Sequence, residues 1–268
     1  MRIGAVADDV TGATDLCLML SRAGLRTVQV MGLPPGGTLA EDAALQGADA
    51  VVIALKSRTI PAGDAVAQSV AAARVLTAAG AEQLMFKYCS TFDSTDAGNI
   101  GPVAEALLAL CGGGMTIACP AFPANGRTVY QGHLFVGDRL LSDSPMKDHP
   151  LTPMRDANLV RVLARQTQGP VGLVDAHVVA EGVQAVRSAF AAQMAAGRRI
   201  VVVDALNDAH LMTLGAACAG MALVTGGSGI AAALAANFPR GAALVRASSA
   251  GTGCTGEVIT CAVSGGGG

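Results

Sequence analysis

The chain has 268 residues, 51% hydrophobic and 14% charged, with 18 Lys plus Arg against 20 Asp plus Glu for a net charge of −2. That balance excludes a nucleic-acid binder working by bulk charge, and the apolar content excludes disorder as the main state. Seven scattered cysteines without a C-x-x-C pair argue against a disulfide framework or a zinc site, and no apolar run reaches the roughly 18 residues of a membrane span.

In chain order, residues 2–7 predict a first strand and 11–23 a first helix. Strands at 27–31 and 50–55 follow, then a helix over 61–79, a strand at 84–87 and a helix over 99–111. A strand at 115–118 precedes a long segment, 119–154, that carries five prolines and no clear period. Beyond it come a helix over 156–166, a strand at 171–174, a helix over 181–196 and a strand at 200–204. A helix over 208–219, a strand at 221–224 and a helix over 230–237 complete the regular part. The strands are continuous apolar runs, as expected when both faces are covered, and Gly24, Gly80, Gly112, Gly197 and Gly220 stand where helices should stop. The expected fold is α/β: a doubly wound, mostly parallel, Rossmann-like sheet. Long unpatterned connections in compact domains are functional or disordered, and the aromatic and aliphatic residues within 119–154 favour an ordered functional loop. The Gly/Ser-rich stretch 241–268 reads as a tail. A cytoplasmic protein is expected, without metal site, membrane association or nucleic-acid partner.

Ligands of open α/β sheets bind beyond the carboxyl ends of the strands. Asp8 and Asp9 follow the first strand, and Thr11-Gly12 opens a helix. This pair suits hydrogen bonding to hydroxyls or proton removal, or else Asp9 caps the helix and Asp8 meets a buried base. Lys56, Ser57 and Arg58 follow the third strand and suit a carboxylate or phosphate. The run from Lys87 to Thr95 is dense in hydroxyls and holds Ser90, Thr91 and Asp93. Cys89 lies there too, with no base near it in sequence to activate it. Gly226, Gly227, Ser228 and Gly229 form a weak phosphate-loop signal that matches neither G-x-x-x-x-G-K-[ST] nor G-x-G-x-x-G, and a tight strand-to-helix turn competes with it. His133 and His149 lie in the unpatterned segment and are the histidines placed for ligand contact. A nicotinamide-dependent dehydrogenase has only the α/β alternation in its favour, since no dinucleotide fingerprint follows the first strand.

The opening I-G-A-V-A-D-D-V-T-G-A-T-D, the K-S-R-T turn and the F-K-Y-C-S-T-F-D-S-T loop resemble the four-carbon acid sugar kinase family. The stretch P-A-F-P-A-N-G-R-T-V-Y-Q-G-H-L-F-V and the following L-L-S-D-S-P-M-K-D-H-P-L-T-P-M are similar to it as well. The likeness runs from residue 3 to about residue 238 and is nearest to the 3-oxo-tetronate kinases. It implies ATP-dependent phosphorylation of 3-oxo-tetronate to its 4-phosphate, with Mg²⁺ on the ATP. Residues 1–240 would be the substrate-binding domain, with the nucleotide domain lying outside this chain. The resemblance makes Asp8, Asp9 and Thr11 substrate ligands, one of the two aspartates the base, and Arg58 the partner of the substrate carboxylate. Ser90, Thr91 and Asp93 become hydroxyl contacts. A homo-oligomer or a separate nucleotide-binding domain would be its protein partner. The competing reading is a non-catalytic sugar-acid-binding module or pseudoenzyme.

Overall fold

The computed structural model of the chain describes residues 1–39 and 45–238, together with the backbone of 258–261. The first half runs β1 Ile3–Ala7, α1 Val10–Arg22, β2 Thr27–Met31, β3 Ala50–Ala54, α2 Ala62–Ala78, β4 Gln83–Lys87, α3 Ile100–Leu110 and β5 Thr116–Cys119. Three short strands follow, β6 Arg127–Tyr130, β7 His133–Val136 and β8 Arg139–Leu140, then α4 Leu159–Ala164 and β9 Val171–Val174. The remainder is α5 Ala176–Ala180, α6 Val183–Ala195, β10 Ile200–Val203, α7 Asp208–Ala217, β11 Leu223–Gly226, α8 Ala231–Ala235 and β12 Val258–Cys261.

The main sheet has the order β12-β2-β3-β1-β4-β11-β5-β10-β9, all parallel except β12, which pairs antiparallel with β2. Helices α2, α3 and α4 pack in sequence over one face, and α1, α8, α7 and α6 over the other. Covering both faces explains the unbroken apolar strands: every residue of β1 and β3 is buried. The expected doubly wound α/β fold is therefore present. Chain direction reverses between β1, which leads outward to β2, and β4, which leads toward β5, so the crevice between β1 and β4 is the topological switch point.

The differences from expectation have local causes. The helix expected over 181–196 begins at Val183, because Gly182 adopts φ 100°, and a separate short helix, α5, precedes it. Asn158 caps α4 by accepting the Arg161 N–H, so that helix starts three residues later than the expected 156. The last parallel strand is shifted two residues, to Leu223–Gly226, since Gly226 still pairs with Lys87 and Cys119. Within the expected tail, 258–261 form the edge strand β12; the rest of 241–268 lies outside the described residues.

The segment 119–154 is ordered, as expected, but it is not without regular structure: it folds into an antiparallel sheet of the order β6-β7-β8. Strands of four, four and two residues are too short to show a period. Gln131 and Gly132, at φ 51° and 71°, make the tight two-residue turn between β6 and β7. Val129 exchanges backbone hydrogen bonds with Ala205, beyond β10, and fastens this small sheet to the main one.

Candidate functional site at the switch point

Each strand at the switch point delivers one part of a charged cluster. Asp8 leaves β1, and its carboxylate is gripped by Arg58, Nε to Oδ2 at 2.9 Å and Nη2 to Oδ1 at 2.8 Å. The same Nη2 donates to Asp9 Oδ1 at 2.7 Å, and Nη1 lies 3.6 Å from Asp93 Oδ2. The backbone enforces this register, because the Ser57 and Arg58 N–H groups both donate to the Asp8 carbonyl. Asp9 also caps α1 by accepting the Gly12 N–H at 3.0 Å. A Cβ at Gly12 would stand 2.3 Å from Asp9 Oδ1 and 2.7 Å from Lys87 Nζ, so glycine is needed for that approach.

Asp93 reaches the cluster through a strained backbone. Phe92 and Asp93 hold φ 69° and 47°, both left-handed and both buried. Thr91 Oγ1 donates to Asp93 Oδ1 at 2.7 Å, and Cys89 Sγ lies 3.0 Å from the same hydroxyl. Although aromatics are 3% of the chain, three of them support this loop. Phe86 and Tyr88 meet edge to face at 5.5 Å, as do Tyr88 and Phe92 at 5.7 Å. The Tyr88 hydroxyl is 3.1 Å from Thr225 Oγ1, which donates to the Ile117 carbonyl.

Burial pushes the Asp8 carboxyl above its ordinary range, opposed by the Arg58 hydrogen bonds and by the charges of Arg58 and Lys87. Burial works against the charge of Arg58, but the hydrogen bonds and charges of Asp8 outweigh it and hold the guanidinium above its usual value. Burial and the neighbouring Asp93 charge raise the Cys89 thiol, which is the opposite of what a nucleophile needs.

Of the residues singled out in the sequence, Asp8, Asp9, Arg58, Lys87, Thr91 and Asp93 come together here. Lys87 is buried and donates to the Tyr88 carbonyl at 2.8 Å. Ser57 contributes backbone, and Ser90 is half-buried, its Cα beside Gly227. Thr11 and Lys56 are exposed. Of the alternatives weighed for the aspartates, the structure shows the cap and the ion pair: Asp9 caps the helix and Asp8 meets a base, Arg58, at the carboxyl end of β1. The Gly226–Gly229 loop is buried against the backbone of 119–121. A Cβ at Gly226 would meet the Cys119 carbonyl at 2.3 Å and one at Gly229 the Ala121 carbonyl at 2.3 Å, so these glycines answer to packing.

The cluster has almost no free space: the crevice lined by Asp8, Arg58, Asp93 and Asn99 measures about 10 Å³, room for one water at most. Ser94, on its rim, also opens onto a cleft of about 930 Å³, within the range of small-molecule sites. The cleft is walled by Ser94–Ala97, by His133 and Leu140 of the small sheet with Ser142 just beyond it, and by residues between Leu151 and Arg165. His133 donates from Nδ1 to the Gln131 carbonyl at 2.8 Å, and its Nε2 lies 3.3 Å from the Asn158 amide. It is thus a fixed part of the wall. His149 instead accepts the Thr152 N–H at 3.1 Å.

Sequence reasoning passed over three residues that hold this site. The Asn99 amide donates to the carbonyls of Ser57, Arg58 and Ile60 at 2.8, 3.1 and 2.9 Å and so fixes the turn that carries Arg58. Asp204 accepts N–H groups of Gln131, Gly132 and Ala176 at 2.6, 2.9 and 3.0 Å, holding the tip of the small sheet. Its position, one acid directly after an apolar strand, repeats the pattern of Asp8 and was a readable signal. Arg155, on the cleft wall, had none.

A family model described as "Sugar-binding N-terminal domain" matches residues 3–234. The chain belongs to that family, the N-terminal domain of four-carbon acid sugar kinases. A 3-oxo-tetronate kinase of Burkholderia multivorans is 62% identical over 242 residues, covering 90% of this chain and 55% of the relative. One from Cupriavidus necator is 59% identical over 238 residues, covering 89% and 54%. This sugar-binding domain thus spans about half the length of the curated relatives it matches. Among solved structures, a putative tRNA synthase from Salmonella typhimurium is similar with a TM-score of 0.83 and 48% identity, over 87% of this chain and 55% of the other. A domain of unknown function from Bordetella bronchiseptica, solved with bound citrate as a domain-swapped dimer, has a TM-score of 0.73 and 31% identity over 88% and 56%. No helix among the described residues is long and apolar enough to cross a membrane.

Proposed function

We propose that this chain is the acid-sugar-binding part of an ATP-dependent kinase that converts 3-oxo-tetronate to 3-oxo-tetronate 4-phosphate. The observation that carries the reading is the ion-paired cluster of Asp8, Asp9, Asp93 and Arg58 at the switch point, with a cleft of small-molecule size opening beside it. The names of the relatives supply the substrate and the reaction class.

Phosphoryl transfer asks the protein chiefly for positioning and charge balance. Asp9 is the better placed base of the two aspartates. Asp8 is buried with both oxygens held by Arg58, whereas the Asp9 side chain is 27% exposed and only its Oδ1 is engaged. Asp9 would take up the proton that the substrate's terminal hydroxyl loses, Arg58 would keep the neighbouring acids ionised and aligned, and Asp93 would meet a substrate hydroxyl.

Nothing among the described residues identifies the seat of the nucleotide or of Mg²⁺. The glycine loop is packed on backbone, and no group of three His, Cys, Asp or Glu suited to a metal occurs among the described residues. On the proposed reading, ATP and its metal would be held by residues outside these. A second copy or a separate domain would supply them in cytoplasmic conditions.

Titration calorimetry of the folded chain with four-carbon acid sugars tests the proposal. It requires saturable one-to-one heat for 3-oxo-tetronate; absence of heat from every four-carbon acid refutes it.

A further inference from the structure

The resemblance to acid sugar kinases gives Arg58 to the substrate carboxylate, but Arg58 is taken. Its guanidinium meets Asp8, Asp9 and Asp93, and the crevice around it is of about one water's volume. Lys87 is buried against the Tyr88 carbonyl. The acids there outnumber the cations by one, so a further anion gains nothing at that spot.

The cleft beside it has the opposite balance. Three arginines, Arg155, Arg161 and Arg165, line it against two aspartates, Asp96 and Asp156. Arg161 is bound to both oxygens of Asp156 at 2.6 Å each, and Arg165 reaches Asp96 at 3.0 Å and Asp156 at 3.5 Å. Arg155 is different: it is exposed, lines the cleft, and makes no hydrogen bond or ion pair among the described residues. Its backbone is well held all the same. The flanking Met154 N–H donates to Met146, and the Ala157 carbonyl accepts from Leu134 of β7. A guanidinium on a fixed backbone, uncommitted and facing a cleft with one surplus positive charge, matches one singly charged carboxylate, which it meets in a planar fork. A triphosphate would bring more negative charge than the cleft balances.

We infer that Arg155 is the residue that seats the carboxylate of a small polyhydroxy acid in this cleft and selects acids over neutral sugars. Thr95 and Ser142 on the same walls offer hydroxyls to the rest of the molecule. Because Ser94 borders both cavities, an acid held by its carboxylate at Arg155 extends its far end toward Asp93 and the Asp8–Arg58 pair. The inference rests on the proposed function and adds to it the anchor and its direction.

The test is titration of the intact chain and of Arg155→Gln and Arg155→Lys with 3-oxo-tetronate, with the neutral four-carbon ketose that lacks the carboxylate, and with ATP. The expected result is a preference for the acid of at least tenfold in the wild type. In Arg155→Gln that preference should vanish, with affinity for the ketose and the melting temperature unchanged, and Arg155→Lys should restore part of it. Unchanged acid binding in Arg155→Gln overturns the inference while leaving the proposed function standing. Weakened ATP binding with unchanged acid binding overturns it in favour of a phosphate contact. If the wild type binds neither acid nor ketose, the proposed function itself fails and the inference falls with it.

Discussion

Arg58 and Asp8 are joined by two parallel hydrogen bonds, of 2.9 and 2.8 Å, across 50 residues of sequence and between the ends of β3 and β1. The pair is the hub of the site, because the same guanidinium reaches Asp9 and Asp93. Removing one partner of such a pair leaves a buried charge without compensation. Arg58→Met should therefore lower stability by about 3 kcal/mol. Combining it with Asp8→Asn should cost less than the two single changes added together. Urea denaturation of the four proteins checks this, and strict additivity would show that the pair is not coupled.

Asn99 governs the turn rather than the ligand. Asn99→Ala leaves the carbonyls of Ser57, Arg58 and Ile60 without their donor and should destabilise by about 2 kcal/mol. Affinity for the acid should fall as well, because the turn carries Arg58. Asn99→Asp should not rescue either effect, since a carboxylate offers acceptors where donors are needed. Equal acid affinity in Asn99→Ala and wild type, by calorimetry, would separate the turn from the site.

Asp204 holds three N–H groups in a buried setting, and burial raises its carboxyl above the ordinary range despite those bonds. Asp204→Ala should cost about 3 kcal/mol by orphaning them. The local signature is loss of amide exchange protection at Gln131, Gly132 and Ala176 ahead of the main sheet. Protection lost uniformly instead would mean that Asp204 supports the whole fold and not the small sheet.

Asp156 carries the opposite shift. Its hydrogen bonds with Arg161 lower its carboxyl below the ordinary value of 3.8, so its contribution is present above that pH and disappears as pH falls through the lower folded value. The wild type should melt above Asp156→Asn at neutral pH, with the gap closing below pH 3.8. A gap that stayed constant down to pH 2, read by circular dichroism, would rule out this carboxylate as its source.

Much of this was legible beforehand because parallel strands covered on both faces have to be unbroken apolar runs, and the residue after each is placed at the binding edge. Asp8, Asp9, Arg58 and Asp93 could be found that way. What escaped has physical reasons too. Strands as short as His133–Val136 have no period to detect, so the sheet that walls the cleft was read as a loop. That Arg58 would be saturated depends on the turn after β3 folding back onto Asp8, where the Ser57 and Arg58 N–H groups meet its carbonyl, which no residue type there announces. Arg155 sits in a coil, and only the fold brings it onto the same cleft as Ser94 and Thr95.

If the cleft and the Asp8–Arg58 hub form one acid-sugar site, as proposed, a crystal of the protein soaked with 3-oxo-tetronate will hold the acid across both. The carboxylate should then lie against Arg155 and the terminal hydroxyl toward Asp9. An acid bound with its carboxylate on Arg58, or bound away from the cleft, would contradict it.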